Sequence, residues 1–333
     1  MRCRQEGAPA PQNIPGMSKS PQTVVVALGG NAILQPGQVG TFEEQLVNVD
    51  QSCRRIARLV ADGWRVVLTH GNGPQVGNIL IQNDLAAKLV APMPMDVCGA
   101  ETQGQIGYML QQSLHNHLVK SRLRVPVATF LTEVVVDRRD LAFASPSKPV
   151  GPFYPEARAR ELAIEQGLVV REDAGRGWRR VVPSPAPVEI VQRPAIADAL
   201  AAGVLVVCNG GGGIPVVRQR DGSLHGVEAV IDKDLSAARL ALDLQADVLL
   251  ILTDVPSVFV GYKTPGQRAL GHVSVEEMER YCAAGEFKAG SMGPKVTAAL
   301  QFARAGGRAV IASLLDVAPA MRGEAGTTID VAQ

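Results

Sequence analysis

The chain has 333 residues, 46% hydrophobic and 4% aromatic, with 33 Lys and Arg against 32 Asp and Glu for a formal net charge of +1. That length supports a large core, built as one α/β domain or as two lobes, and the near-neutral balance excludes a general electrostatic pull toward nucleic acid or an anionic membrane. Five scattered cysteines (Cys3, Cys53, Cys98, Cys208 and Cys282) form no CxxC pair, which argues against a disulfide framework or structural zinc and fits the reducing cytoplasm.

Residues 1–22 are polar, rich in Pro and Gln, and carry Arg2 and Arg4 without the apolar segment of a secretory signal. They are expected to form a disordered tail, or to precede a second start at Met17, ahead of a domain spanning 23–333. No apolar run approaches the roughly 20 residues that cross a bilayer. The first predicted strand, Thr23–Leu28, stops at Gly29, Gly30 and Asn31. A helix over Thr41–Asp62 follows, then a strand over Arg65–Thr69 that leads into "HGNGP" and helices over Gln75–Leu89 and Thr102–Ser121. Met93, Met95 and Met109 read as core or gap fillers. His115 and His117, two apart, share no helix face for a metal. After a strand over Val125–Leu131, residues 137–189 turn polar and rich in Pro and Arg. This stretch is too long for an ordinary loop and predicts an inserted subdomain of short β-ribbons beside the site.

The regular rhythm then resumes. A helix over Arg193–Ala202 and a strand over Val204–Cys208 lead to the run Gly210, Gly211, Gly212, Gly213. A helix over Asp234–Leu244 has Asp234 as its natural N-cap. The last elements are a strand over Val248–Leu252, a helix over Ser274–Ala284, the turn "KAGSMGPK", a helix over Lys295–Ala305 and a strand over Ala309–Ala312. Alternating strands and helices predict a mainly parallel sheet covered on both faces. Ligands in such sheets bind beyond the carboxyl ends of the strands.

Four glycine-rich turns therefore fall at one edge of the sheet: Gly29–Asn31, Gly71–Gly73, Gly210–Gly213 and "KAGSMGPK". Glycine lets backbone N–H groups approach an anion, and a following helix adds the positive end of its dipole. None is a P-loop, and the first strand lacks G-x-G-x-x-G. Pro294 suits a helix start, which puts Lys295 in a first turn, where the dipole disfavours a cation unless an anion sits beside it. Lys233 lies between Asp232 and Asp234, carboxylates that keep an ammonium charged and aimed. His70 has no evident carboxylate partner, so shaping of backbone or a substrate contact suits it better than a catalytic base.

These segments, in this order, resemble the carbamate kinases of the amino acid kinase family: "ALGGNA", "THGNGPQVGN", "TQGQIGY", "KPVGPF", "EDAGRGWRRVVPSP", "GGGGIPV", "VIDKD", "LILTDV" and "GSMGPK". The resemblance runs from about Thr23 to the C-terminus. It implies a three-layer α/β/α sandwich around an open, mainly parallel eight-stranded sheet, with a small protruding subdomain at about 137–189, and a homodimer. Residues 23–207 would form the carbamate and carbamoyl phosphate lobe and 208–333 the nucleotide lobe. The implied reaction is reversible transfer between carbamoyl phosphate and ADP to give ATP and carbamate, with Mg²⁺ on the nucleotide phosphates and a role in arginine breakdown.

Carried over by position, the resemblance makes Lys233 and Lys295 ligands of the transferred phosphoryl group, with Asp234 positioning them. Gly29, Gly30 and Asn31 would donate to that group. Gly71, Asn72 and Gly73 would form the carbamate pocket, with Gly210, Gly211, Gly212 and Gly213 beside it. Thr253, Asp254, Val255, Tyr262 and Met292 match the nucleotide side, together with Lys295. No protein metal ligand is implied. Many family members carry a lysine where this chain has Ala27. Carbamate kinases fill the gap from the inserted subdomain, here with Lys148. Asn209 stands where relatives usually have a smaller residue. The alternatives are a related amino acid kinase for a larger acid and a non-catalytic nucleotide or metabolite sensor on the same fold. Presence of Lys148, Lys233, Asp234 and Lys295 together argues against the sensor.

Overall fold

A computed structural model describes residues 21–173, 175–287 and 292–331. The expected N-terminal tail, apart from its last two residues, and the first half of "KAGSMGPK" lie outside them. The main sheet has eight strands in the order His272–Ser274, Thr327–Asp330, Arg308–Ser313, Val248–Thr253, Thr23–Leu28, Arg65–His70, Leu205–Val207, Val127–Thr129. Every neighbouring pair is parallel except Arg308–Ser313 with Thr327–Asp330.

Both faces of the central strand are dry, so it reads as an unbroken apolar run instead of alternating with polar residues. Val25 and Ala27 point to one core, shared with the helices Arg193–Ala201, Lys233–Asp243, Val275–Ala283 and Met292–Arg304. Val24, Val26 and Leu28 point to the other, under the helices Phe42–Ala61, Met95–Lys120 and Val317–Met321. Thr41 starts the first long helix with a reciprocal capping box to Glu44, which satisfies two orphan donors at once.

The 137–189 stretch divides. Lys148–Tyr154, Trp178–Val182 and Val170–Glu172 form their own antiparallel sheet, with the helix Glu156–Gln166 between its first two strands in sequence. Pro187–Ile190 instead pairs with Glu133–Val136, in a second sheet with Ile214–Arg218 and Leu224–Gly226. The part of the stretch that forms its own sheet is thus shorter than its polar composition suggests.

Several boundaries differ from the sequence expectation. The helix expected at Thr102 begins at Met95, seven residues early, because Pro94 supplies an extended entry and Gly99 is tolerated inside. The strand expected over Val125–Leu131 contracts to Val127–Thr129; at its start Pro126 has no N–H for the ladder. Met95 and Met109 are buried, but Met93 is 48% exposed and is no core filler. Its backbone N–H donates to Asn83 Oδ1 in the loop between two helices.

Candidate active site

The carboxyl ends of the central strands converge on one cleft. At its centre lies Asp234, only 3% exposed. Asp234 is not the N-cap of its helix. That place belongs to Asp232, whose Oδ1 accepts the N–H groups of Asp234 at 3.0 Å and Leu235 at 3.4 Å. Relieved of capping, the Asp234 carboxylate accepts from Lys233 Nζ at 2.5 Å through Oδ1 and from Lys295 Nζ at 3.1 Å through Oδ2. Burial alone would raise the Asp234 carboxyl, but the two ammonium groups hold it below the usual carboxylate range. Burial, aided by Lys295, lowers the Lys233 ammonium against the pull of Asp234. The result is two cations on one anion, an excess of one positive charge facing the cleft.

Three cavities meet at these lysines. One of about 660 Å³ is lined by Thr253, Asp254, Val255, Tyr262, Met292 and Lys295, with Phe259, Glu286 and Phe287. Next to it, a cavity of about 430 Å³ is lined by Gly29, Gly30, Asn31, Lys233, Thr253 and Lys295. The innermost, about 280 Å³, is lined by Gly30, Gly71, Asn72, Gly73, Gly211, Lys148, Asp232, Lys233, Asp234 and Lys295. Lys295 borders all three, and Lys233 borders the inner two. A larger cavity therefore adjoins a smaller one across a pair of cations.

Of the four consecutive glycines, only Gly211 lines the inner cavity; Gly210 and Gly212 are buried beneath it. Gly211, Gly212 and Gly213 have φ of +66°, +93° and +94°. A Cβ at Gly211 would run into the Asn72 amide, and one at Gly213 into Val134. Asn209 also has positive φ, +56°, which asparagine tolerates better than most residues. Its amide donates to Ser236 Oγ at 2.9 Å, so this residue fits the turn it opens.

Beneath the two inner turns lies His70, 1% exposed, with Nδ1 3.0 Å from the Gly71 carbonyl. Burial, and to a lesser degree Lys233, lowers its pKa to about 4 against that hydrogen bond, so the ring is neutral at physiological pH. Gln103 joins the layer, accepting from Thr132 N and donating to the carbonyls of Thr132 and Gly210. His70 and Gln103 form a buried layer whose polar atoms meet the carbonyls of Gly71 and Gly210.

Lys148 reaches the inner cavity from the inserted sheet, where its Nζ lies 2.9 Å from Asp232 Oδ2. Two residues here escaped sequence reasoning in their actual roles. Asp232 was visible only as a neighbour of Lys233. Arg179 lines the inner cavity while donating to Gly151 O at 3.0 Å and to Asp173 Oδ2 at 3.3 Å. Nothing in "GRGWRRVV" distinguishes it from Arg176 or Arg180.

Among the described residues, no group of three His, Cys, Asp or Glu side chains is arranged to hold a metal ion. Asp254, which accepts from Thr253 Oγ1 and Asn31 Nδ2, is a single carboxylate between the two larger cavities. One carboxylate suits Mg²⁺ that arrives on a polyphosphate, because Mg²⁺ usually keeps several waters and binds through one or two carboxylates plus phosphate oxygens.

A model of the amino acid kinase family matches residues 22–313. The chain is 53% identical over 310 residues to carbamate kinase of Thermococcus kodakarensis, covering 92% of this chain and 98% of that one. It is 51% identical over 312 residues to carbamate kinase of Pyrococcus horikoshii, covering 93% and 99%. A solved carbamate kinase from Giardia lamblia bound to AMP-PNP superposes with a TM-score of 0.89 at 45% identity, covering 93% of this chain and 99% of that one.

Proposed function

The chain belongs to the amino acid kinase family, among its carbamate kinases, and we propose that Lys148, Lys233, Asp234 and Lys295 carry its phosphoryl transfer. The reaction is the reversible conversion of carbamoyl phosphate and ADP into ATP and carbamate. Carbamate then decays to ammonia and carbon dioxide.

In this reading the 660 Å³ cavity takes the nucleoside and the 280 Å³ cavity the carbamate end. Transfer occurs between them, beside Lys233 and Lys295. Phosphoryl transfer calls for alignment and charge neutralisation more than covalent chemistry by the protein. Carbamate is already an anionic nucleophile, so no general base is required, and a neutral His70 below the site is compatible with that. The lysines oppose the repulsion between two anions and stabilise charge on the group in flight. The Gly29–Asn31 turn offers backbone donors to the same group, while Asn72 and Gly73 line the carbamate side. Asp254 would hold the nucleotide's Mg²⁺ at the junction, and that ion neutralises phosphate charge when bound. Residues 23–207 supply most of the carbamate side and 208–333 the nucleotide side.

The observation that carries this reading is the pair of lysines on different helices sharing one buried carboxylate where the cavities meet. The test is ATP formation from ADP, Mg²⁺ and carbamoyl phosphate. Absence of turnover in a folded sample that binds ADP would overturn it. The family relationship further supports a homodimer acting in arginine breakdown in the cytoplasm. Sedimentation would check the dimer. Among the described residues no helix is long and apolar enough to cross a membrane.

A further inference from the structure

Asp232 performs two tasks with its two oxygens. Oδ1 caps the Lys233–Asp243 helix through the N–H groups of Asp234 and Leu235. Oδ2 pairs with Lys148 Nζ at 2.9 Å, 84 residues away in the inserted sheet. One carboxylate thus ties the insertion to the helix start that carries Lys233 and Asp234. The Asp232 side chain is 13% exposed and the Lys148 side chain 36%, so the pair sits at the rim of the inner cavity with its carboxylate side the more enclosed.

The geometry points to Asp232 as a positioning residue that aims Lys148 into the inner cavity, an inference that rests on the role proposed above for Lys148. An ammonium has three N–H donors. One directed at Asp232 leaves two for an incoming anion, so the tether orients the lysine without consuming it. Lysine is a flexible four-carbon chain with a point charge at its tip. Lys148 stands at the first position of its strand, opposite Val182, and within the cleft the charged partner that fixes its tip is Asp232. Because Asp232 is rigidly held by the helix N-terminus, it transfers the register of that helix to the insertion. Lys148, Lys233 and Lys295 are thereby referenced to one another through two adjacent carboxylates, Asp232 and Asp234.

Asp232→Asn separates the two tasks. Asparagine caps a helix about as well as aspartate but offers Lys148 no charge. Turnover of carbamoyl phosphate with MgADP is measured for the wild type, Asp232→Asn, Lys148→Met and the double variant, together with thermal unfolding. The expected result is a loss of about tenfold in kcat/KM for Asp232→Asn, mainly in kcat, with unfolding temperature within about 2 °C of wild type, and almost no additional loss when Asp232→Asn is combined with Lys148→Met. Asp232 also lies near Lys233, and the double variant isolates that route. A full additional loss in the Lys148→Met background would show that Asp232 acts through Lys233 and would overturn the inference. So would unchanged turnover in Asp232→Asn while Lys148→Met is impaired. Full activity of Lys148→Met would instead overturn the role of Lys148 itself.

Discussion

Lys295 Nζ lies 3.1 Å from Asp234 Oδ2, joining the first turn of one helix to that of another across 61 residues of sequence. A lysine in a helix's first turn is opposed by the dipole, and here a carboxylate from the neighbouring helix offsets that opposition. The same carboxylate holds Lys233. Asp234→Asn keeps the shape and removes the charge, leaving two cations facing each other in a buried setting. We expect kcat to fall by about 100-fold or more, as for loss of a preorganised electrostatic group. Stability should fall by about 3 kcal/mol, since breaking a buried pair strands a charge. Coupled ATP assays and urea unfolding check both; wild-type kcat would remove Asp234 from the arrangement.

Lys233→Ala and Lys295→Ala should behave differently from Asp234→Asn. Each leaves Asp234 with one remaining lysine, so the buried carboxylate stays compensated. The loss in kcat should reach about 100-fold to 1000-fold, with stability changed by only about 1 kcal/mol. Equal loss in folding and in turnover would mark these lysines as structural.

The glycine run tests the shape of the inner cavity. Gly211→Ala forces a side chain onto a backbone at φ +66° and into the Asn72 amide. Asn72 Nδ2 donates to Thr102 Oγ1 at 2.8 Å, so moving it aside breaks that hydrogen bond. Stability should drop by about 2 kcal/mol, and KM for carbamoyl phosphate should rise as Asn72 is displaced. Gly73→Ala, where a Cβ meets nothing within 4 Å, is the control and should leave stability nearly unchanged in the same thermal unfolding experiment.

His70 gives a pH dependence with a definite sign. Its folded pKa of about 4 lies below the ordinary value of 6.5. Between those values the unfolded chain binds a proton that the folded chain refuses, so stability is fully present above pH 6.5 and is lost as pH falls toward 4. At about 1.36 kcal/mol per pKa unit this amounts to about 3 kcal/mol. Asp234, whose pKa is lowered, adds a loss at lower pH, below the ordinary carboxylate value. His70→Gln should flatten the slope between pH 6.5 and 4 in chemical denaturation. An unchanged slope would show that His70 does not titrate as its burial requires.

The central strands and the two lysines were legible because their signals are local. Thr23–Leu28 is a pure apolar run with glycines at its end, and Lys233 lies in a short charged motif. What stayed hidden depends on contacts distant in sequence. Capping by Asp232 in place of Asp234 turns on which carboxylate the lysines claim, a choice made by Lys295 and Lys148 from other elements. The insertion looked longer than it is because Pro187–Ile190 pairs with Glu133–Val136, and polar composition carries no record of a strand's partner. Arg179 is brought to the inner cavity by the pairing of its strand with Lys148–Tyr154, a partner distant in sequence.

Ala27 stands near the end of the apolar run of the central strand, and its burial shows what a lysine there would meet. Ala27 is 0% exposed and shares a core with Ala237, Ala238 and Ile251. Its strand neighbours are Thr69 and Ile251, in register on either side. Lysine at this point adds four carbons and an ammonium to close-packed alanines, where overpacking alone costs about 1–3 kcal/mol. Its charge would have to emerge beside Lys233 and Lys295, which already exceed their single carboxylate Asp234 by one. Ala27→Lys is therefore expected to lower the unfolding temperature by several degrees and to leave Lys148→Ala inactive when the two are combined. The insertion delivers its cation from the open side of the cleft, paired with Asp232, so neither packing nor charge has to yield. Recovery of turnover in the Ala27→Lys, Lys148→Ala double variant would show that a cation from beneath the sheet can substitute for one from above.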